Sequence, residues 1–277
     1  MAALDKVFGQ FNPDVVVHAA GLKSVNDSVS NAFTYYYVNV YGTINLLKIM
    51  DKYDCNNLVF SSSATIYGIK NDNKLISENS LIQPINPYGE TKKVIEEFLT
   101  DLYNSDRKKW KIAILRYFNP IGAHHSGLMG ENPSDKPNNI LPIINKVAAG
   151  LIKEFEIFGN DWDTIDGTGV RDYIHVMDLA EAHLLALENI FNKEINMIKL
   201  NLGTGKGTSV LQLIKTFQKV NNVKFPFKYS KRREGDIPFS VADNKQAIKI
   251  LKWQPKRDLE IMCADSWNWY KKCPDGF

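Results

Sequence analysis

The chain has 277 residues, 44% of them hydrophobic, and a net charge of +3 from 34 basic and 31 acidic side chains. This composition is ordinary for a globular protein, and the small charge excess gives no reason to expect a nucleic-acid partner. No apolar run approaches the ~20 residues that cross a bilayer, and three widely spaced cysteines fit reduced thiols. We therefore predict a cytoplasmic protein that neither enters a membrane nor depends on disulfides.

Short apolar runs alternate with helical segments along the chain. The runs predict strands at residues 14–17, 58–60, 112–115, 173–176 and 198–202. Helices are predicted at residues 35–50, from Pro87, from Asp178 as N-cap, and from about Ser209. Nearly continuous apolar strands between helices are typical of a parallel sheet covered on both faces, so we predict an α/β fold.

The helix predicted at residues 35–50 is apolar almost all round. A helix that packs on a sheet needs only one apolar face, so this one needs a second surface against which to bury itself. A partner subunit and a fully interior position explain this pattern equally well.

Tyr88 and Lys92 are four residues apart on the helix that begins near Pro87, so their side chains share one face. A nearby ammonium group favours the phenolate and lowers the pKa of a tyrosine. The pair can therefore act as an acid/base unit, although this spacing also occurs by chance in many helices.

Three consecutive serines, Ser61, Ser62 and Ser63, follow the apolar strand at residues 58–60. In open α/β sheets, ligands bind at the carboxyl ends of the strands. A serine at the end of this strand and Tyr88 on the following helix can meet above the sheet. One serine hydroxyl is thus a candidate for chemistry, and the other two are expected to make packing and turn contacts.

The Ser…Tyr-x-x-x-Lys set resembles the short-chain dehydrogenase/reductase superfamily. With FSSSATIYG at residues 60–68, RYFNP at 116–120 and GTGVRDYIHV at 167–176, the chain resembles the UDP-glucose 4-epimerases from about residue 14 to its end. The resemblance implies a Rossmann-like doubly wound parallel sheet, a bound NAD and reversible epimerisation at C4 of a UDP-hexose through a 4-keto sugar. Related dehydratases place an Asp-Glu pair where Ala64 and Thr65 stand here, which argues against dehydration.

The resemblance also assigns roles to individual residues. Ser63 would hydrogen-bond the sugar 4-hydroxyl, Tyr88 would act as general base and then general acid, and Lys92 would favour the ionised tyrosine and hold the nicotinamide ribose. The implied cofactor-binding residues are Ala19, Ala20, Gly21, Leu22, Lys23, Ser63, Tyr88, Lys92, Tyr117 and Phe118. The implied substrate-binding residues are Lys23, Ser63, Tyr88, Asn119, Asn139, Arg171, Arg233, Asp236 and Ser240.

Several of these residues also have a simpler interpretation, in which they have no role in binding. Residues 19–23 could form a plain turn, Phe118 could be ordinary core, and residues 231–233 could form a solvated basic loop. Ser240 occupies the place of a family gatekeeper beside the sugar C2 substituent, and its small size predicts that N-acetyl sugars are also accepted. Alternatively, Phe239 fills that space or Ser240 only bonds the backbone.

The resemblance further divides the chain and predicts its assembly. Residues 1–118 with about 172–203 would form the NAD-binding domain, and residues 119–171 with 204–277 the smaller α/β domain that binds the UDP-sugar. The family has two further β-α units, including a glycine-rich turn, before the equivalent of Asp14. We therefore expect an incomplete sheet with an uncovered edge at residues 15–17. A homodimer would form through the helices at residues 35–50 and 88 to about 103.

Two further motifs predict neither a phosphate-binding loop nor a metal site. The stretch GTGKGT at residues 203–208 fails the spacing of both phosphate-binding glycine motifs and predicts a strand-to-helix turn. Asp161, Asp163 and Asp166 lack calcium-loop spacing, and the histidines lack metal-ligand spacing, so no metal is expected.

Two other functions are alternatives to UDP-hexose epimerisation. One is a non-catalytic epimerase-derived fragment that binds nucleotide sugars, and the other is another NAD-dependent sugar-nucleotide enzyme such as a uronate 4-epimerase.

Overall fold

The computed structural model describes residues 1–68, 74–133, 137–192, 196–233 and 235–276. Its strands are β1 (Val16–His18), β2 (Asn57–Ser63), β3 (Lys111–Tyr117), β4 (Asn119–Ile121), β5 (Phe155–Phe158), β6 (Val170–Arg171), β7 (Tyr173–His175), β8 (Met197–Leu202), β9 (Thr208–Ser209), β10 (Phe227–Ser230) and β11 (Phe239–Ser240). Its α-helices are α1 (Ala2–Phe11), α2 (Val25–Ser30), α3 (Ala32–Tyr35), α4 (Gly42–Lys52), α5 (Pro87–Ser105), α6 (Ile140–Ala148), α7 (Val176–Asn192), α8 (Val210–Asn221), α9 (Lys245–Leu251) and α10 (Leu259–Lys272).

The largest sheet is parallel, with strand order β1-β2-β3-β8. The register pairs His18 with Phe60, Ser63 with Tyr117, and Tyr117 with Leu202, so the carboxyl ends of all four strands lie along one edge. Among the described strands β1 pairs only with β2, as expected for the run at residues 15–17. The smaller sheets are β4-β7, β5-β10 and β11-β6-β9.

Alternate residues of β2 and β3 face opposite sides of the large sheet, because successive strand side chains point in opposite directions. Val59 and Leu115 belong to a buried cluster with α7 and α9, whereas Leu58, Phe60 and Ile112 belong to one with α1, α4 and α5. A third core joins α6, α8 and α10 to β5. The prediction of a parallel sheet covered on both faces is therefore confirmed.

Two of the three predicted helix starts agree with the structure, at Pro87 and at Ser209. Asn86 caps α5 by accepting from the Gly89 N–H at 2.9 Å, with Pro87 at the first position, and the Ser209 side chain caps α8. The prediction that Asp178 caps α7 is wrong, because that helix begins at Val176. The Asp178 carboxylate is buried and instead accepts from the backbone N–H groups of residues 256 and 257.

The helix predicted at residues 35–50 forms, but with a π-helical segment, Tyr36–Tyr41, between α3 and α4. One face buries Tyr35 and Asn39. The other exposes three aromatic rings in a row, Phe33, Tyr37 and Tyr41, with centroid separations of 6.4 and 5.2 Å. The fully interior position is therefore wrong for this helix, since its outer face is open in the single chain.

Across the residues that the structure describes, none of the helices combines the length and the apolar character needed to span a membrane.

Candidate functional site

The carboxyl edge of the large sheet brings the three predicted catalytic residues together. Ser63 ends β2, while Tyr88 and Lys92 lie in the first turns of α5, and all three are buried. Lys92 Nζ lies 5.9 Å from the centre of the Tyr88 ring. The Ser63 oxygen already accepts from the N–H and the hydroxyl of Thr65, at 3.3 and 3.0 Å, so its own proton can be donated.

A glycine allows α5 to come so close to β2. A Cβ on Gly89 would lie 2.9 Å from the carbonyl oxygen of Thr65 and 3.0 Å from Pro84. Any side chain there would push the start of α5 away from the 3₁₀ turn Ala64–Tyr67 that follows Ser63. The glycine therefore sets the approach of Tyr88 to Ser63.

Burial dominates the electrostatics of this edge. It lowers the pKa of Lys92 to about 8, with the negative charge of Glu96 acting in the opposite direction. Burial, and then the positive charge of Lys92, lower the pKa of His18 to about 4. Burial likewise raises the pKa of Tyr88, against a lowering by Ser63.

The direction for Tyr88 corrects the expectation that Lys92 lowers its pKa. The Lys92 ammonium donates to the carbonyl oxygen of Ser61 at 2.8 Å and lies 4.8 Å from the centre of the Phe60 ring. It points at the end of β2 instead of at the phenol oxygen, so desolvation of the phenol prevails.

Each of the three serines has its own partner. The Ser61 hydroxyl bonds His183 Nε2 at 3.1 Å, and His183 Nδ1 donates to the carbonyl oxygen of Leu179 at 2.9 Å. The Ser62 hydroxyl donates to the buried carboxylate of Glu96 at 2.5 Å. The expectation of turn bonding for these two is therefore wrong, because both side chains bond to the helices that flank the sheet, at the half-buried His183 of α7 and the buried Glu96 of α5.

Residues 19–23 follow β1 and are fastened by a side chain that the sequence analysis missed. Asn39 accepts from the Leu22 N–H at 2.8 Å and donates to the Leu22 carbonyl at 3.1 Å. Its amide also donates to Thr91 on α5 at 3.1 Å. An asparagine between two valines, Val38 and Val40, was the available signal, and the π-helical segment places it.

This loop lines a cavity of about 830 Å³. Gly21 has φ 155°, and a Cβ there would lie 3.0 Å from the Asn39 side chain, so a larger residue would crowd the amide that fastens the loop. Lys23 pairs with Glu131 at 2.9 Å across the opening. The lining residues are Gly21, Leu22, Lys23, Ser24, Val25, Asn26, Asp27, Tyr35, Glu131, Pro133, Asn138, Asn139 and Arg233.

A second cavity, of about 220 Å³, collects most of the predicted substrate-binding residues. Arg171 forms an ion pair with Asp236, and the Arg233 guanidinium lies 3.7 Å from the centre of the Phe158 ring. Asn139 and Arg233 line both cavities, which are therefore neighbours. The predicted residues around the second cavity are Asn119, Asn139, Arg171, Arg233 and Asp236.

Arg233 differs from its neighbour in the predicted basic loop. Arg232 points elsewhere: it pairs with Asp161 at 2.8 Å and stacks on Trp162, with 3.8 Å to the ring centre. A merely solvated loop thus describes Arg232 better than Arg233.

Three predicted site residues, Tyr117, Phe118 and Ser240, are not among the described lining residues of either cavity. Phe118 packs in a buried cluster with Ile66, Tyr67, Ile76 and Ala242, which fits ordinary core. Tyr117 lies at the end of β3, where burial raises its pKa against a lowering by Ser61. Ser240 is buried in β11 beside Arg171, its carbonyl accepts from the Asp172 N–H at 2.9 Å, and it is not among the described lining residues of the smaller cavity.

The glycine-rich stretch at residues 203–208 is a turn after β8, as predicted. Its backbone N–H groups bind the buried carboxylate of Asp172, with Thr204 donating at 2.7 Å and Gly205 at 2.9 Å. The donors that a phosphate would need are therefore occupied by a side chain of the protein itself.

A family model described as the NAD dependent epimerase/dehydratase family matches residues 1–203. UDP-glucose 4-epimerase 4 of Oryza sativa subsp. japonica is 48% identical over 274 residues, which are 99% of this chain and 74% of that protein. The chain belongs to the UDP-glucose 4-epimerase family.

Solved structures agree with this membership. The UDP-glucose 4-epimerase from Bifidobacterium longum in complex with NAD⁺ and UDP has a TM-score of 0.94 and 44% identity, covering 100% of this chain and 82% of that one. The UDP-Glc/GlcNAc 4-epimerase from Campylobacter jejuni has a TM-score of 0.83 and 35% identity, covering 98% and 82%. The Rossmann-like α/β fold expected from the sequence is confirmed.

Proposed function

We propose that this epimerase chain interconverts UDP-hexoses at C4, through a transient 4-keto sugar and with bound NAD. Two observations carry the proposal. Ser63, Tyr88 and Lys92 are buried together at the end of β2 and the start of α5, and two neighbouring cavities are lined by Gly21, Leu22 and Lys23 and by Arg171 and Asp236. Family membership supports the same reaction, as do the named activities of the relatives.

The chain's own residues would move the proton. Tyr88 removes the proton of the sugar 4-hydroxyl while Ser63 hydrogen-bonds that oxygen, and the hydride of C4 leaves in the same oxidation. After the 4-keto sugar turns over, the hydride returns to the opposite face of C4 and Tyr88 gives the proton back. NAD, when bound, supplies the acceptor and donor of that hydride.

The residues present fit a dinucleotide along the larger cavity. Gly21 lines it, and we place ribose hydroxyls against the Lys92 ammonium and the Tyr88 hydroxyl, which are not among its described lining residues. We assign NAD contacts to residues 19–23 and to Tyr88 and Lys92, with Tyr117 and Phe118 at the end of β3. We also propose two domains. The NAD-binding domain comprises residues 1–118 with 172–203, and the UDP-sugar-binding domain comprises residues 119–171 with 204–277.

The smaller cavity suits a nucleoside diphosphate. Arg171 and Arg233 offer fixed cations, and Asp236 and Asn119 offer groups that bond hydroxyl and amide donors. Lys23 would reach the phosphates from the other cavity. Ser240, small and buried next to Arg171, leaves room for an N-acetyl substituent, so we propose that the N-acetyl forms are also substrates.

We further propose a homodimer through the exposed aromatic face and the neighbouring side of α5, where Phe98 is exposed. Three large rings in a row on one helix are costly to leave in water. Light scattering at micromolar concentration should give twice the chain mass, and Tyr37→Glu should give the monomer. A monomeric wild type would contradict the assembly.

The three cysteines are free, and we infer a cytoplasmic location.

The decisive test supplies the chain with NAD and UDP-galactose and measures UDP-glucose with a coupled dehydrogenase. We expect formation of UDP-glucose that stops when NAD is left out. Binding of UDP without any epimerisation would instead support the nucleotide-sugar-binding module. Conversion of only a UDP-uronate would support the uronate epimerase.

A further inference from the structure

A buried ion pair lies directly beneath the catalytic residues. Glu96 on α5 and Arg116 on β3 are 3% and 2% exposed. Arg116 Nε donates to both carboxylate oxygens, at 3.0 and 3.1 Å, and Nη2 donates at 2.6 Å. Burial alone would lower the pKa of Arg116, but its hydrogen bonds with Glu96 raise it, so Arg116 stays protonated.

The pair joins every element that carries the site. Ser62 bonds Glu96 at 2.5 Å, and it stands between Ser61, which accepts from Lys92, and Ser63. Arg116 Nη1 also donates to the hydroxyl of Tyr67, at 2.9 Å, in the 3₁₀ turn after Ser63.

The network continues into the last strand of the sheet. The Tyr67 hydroxyl donates to Asn201 on β8 at 2.6 Å, and Asn201 donates to the carbonyl of Ile76 at 2.8 Å. β2, β3, β8, α5 and the turn after Ser63 are thus connected through one set of buried polar groups. Such a network is rigid only when each member keeps its partner.

We propose that Glu96 is a positioning residue of the epimerase site, which holds the end of β2 against α5 and keeps the Lys92 ammonium in its protonated state. The inference rests on the proposed function for its catalytic consequence. Its electrostatic half concerns only groups within this chain.

Lys92 is surrounded by cationic, aromatic and hydroxyl groups apart from this one carboxylate. β2 contributes the Ser61 carbonyl and the Phe60 ring. The titratable groups that act on or contact Lys92 come from β1 and α5, and are His18, Tyr88 and Glu96. Arg116 on β3 binds Glu96, and Tyr117 lies at the end of the same strand.

His18 adds no positive charge near neutral pH, because burial and Lys92 lower its pKa. Thr43 donates its hydroxyl proton to the Asn39 carbonyl at 2.6 Å, so His18 Nε2 donates to Thr43 at 2.8 Å as a neutral ring. Glu96 is therefore the described group whose charge opposes the desolvation of Lys92.

The first measurement follows Lys92 directly in the chain as it exists. Lysine labelled with ¹³C at Cε gives one resonance per side chain, and Lys92→Met identifies that of Lys92. We expect a titration midpoint near 8 in the wild type. Glu96→Gln should move it down by at least about half a pH unit, because an opposite charge nearby favours the charged form.

Two further variants make this result specific. Glu97→Gln, one residue on and exposed, should leave the midpoint unchanged. Should Glu96→Gln fail to fold, Glu96→Gln combined with Arg116→Met removes both charges, and such neutral replacements of buried pairs are often tolerated. A Lys92 midpoint in folded Glu96→Gln that stays at the wild-type value, or one in the double variant that equals that of Arg116→Met alone, overturns the proposal.

The second measurement is turnover from pH 6 to 10 with NAD supplied. We expect Glu96→Gln to lower kcat and to move its alkaline fall to lower pH, with KM for UDP-galactose within about twofold. An equal loss at every pH would overturn the proposal in favour of a general loss of stability. If no variant and no wild type epimerises, the proposed function fails, and the Lys92 midpoints alone decide the role of Glu96.

Discussion

The catalytic edge and the substrate-side cavity are organised in different ways. At the edge, Ser63, Tyr88 and Lys92 are almost fully buried and held by bonds to the end of β2 and to Thr65. Around the smaller cavity, the charges of Arg171 and Asp236 are partly exposed and neutralise each other. The edge is built to fix reacting groups before substrate arrives, whereas the cavity keeps charges that a diphosphate and a ribose can take over.

The largest expected effect removes the acid/base group at the edge. Tyr88→Phe should lower turnover by roughly 10²–10⁴-fold, because general acid/base groups contribute about that much. NAD retention, read from absorbance of the released cofactor, should stay unchanged. Tyr229→Phe, on an exposed part of β10, is the control. Turnover of Tyr88→Phe within threefold of the wild type would remove this residue from its role.

The next effect separates the cavity from the edge. Arg171→Ala should weaken UDP binding by about tenfold to a hundredfold, since hydrogen bonds to charged groups are worth about 1.5–3 kcal/mol. It should also leave Asp236 unpaired and repulsive towards phosphate. Titration calorimetry with UDP measures the change, and Arg232→Ala, whose guanidinium binds Asp161 instead, should change affinity less than twofold. Equal losses in both variants would mean that only overall positive charge matters.

The loop at residues 19–23 lies between the two regions, and its fastening can be removed. Asn39→Ala should destabilise the fold by about 1–3 kcal/mol, because it leaves the Leu22 N–H and carbonyl and the Thr91 hydroxyl without this partner. Urea unfolding measures the loss, with the exposed Asn26→Ala as control. A stability equal to the wild type would show that the loop holds itself.

Volume next to Arg171 provides a finer comparison. Ser240→Tyr should reduce epimerisation of UDP-N-acetylglucosamine by about tenfold relative to UDP-glucose, since overpacking a close-packed site costs roughly 1–3 kcal/mol. Activity with both sugars, measured side by side in the wild type and the variant, checks this. If the wild type ignores the N-acetyl sugar, or the tyrosine leaves its use unchanged, Ser240 is not a gatekeeper.

The smallest effect concerns pH at the edge. The pKa of His18 is lowered to about 4 in the folded chain against about 6.5 in an unfolded one, so the unfolded state binds more protons between these values. Stability should therefore fall as pH drops from about 6.5 to 4, by at most ~1.4 kcal/mol per pH unit from this group. His18→Gln should lose about 1 kcal/mol less than the wild type between pH 6.5 and 5, measured by urea unfolding. The exposed His125→Gln should follow the wild type, and identical slopes in all three would contradict the prediction.

The sequence by itself predicted five of the strands and placed Tyr88 and Lys92 on one helix after the three serines, whereas the choice of Ser63 came from the resemblance. Apolar runs of strand length and a Tyr-x-x-x-Lys spacing are local patterns, because they involve residues that are close together in the chain and are therefore visible in the sequence. The resemblance predicted that Asn119, Arg171 and Asp236 bind substrate, and these residues line one cavity in the structure.

Only the tertiary structure decided the partners of buried polar groups. Asn39 and Thr91 are far apart in the chain, as are Glu96 and Arg116, and no local pattern pairs them. The direction of the Tyr88 pKa was misjudged for the same reason, because spacing shows that Lys92 is near but not where its ammonium points. Desolvation depends on everything packed around a group, and that packing exists only once β2, β3 and α5 have come together.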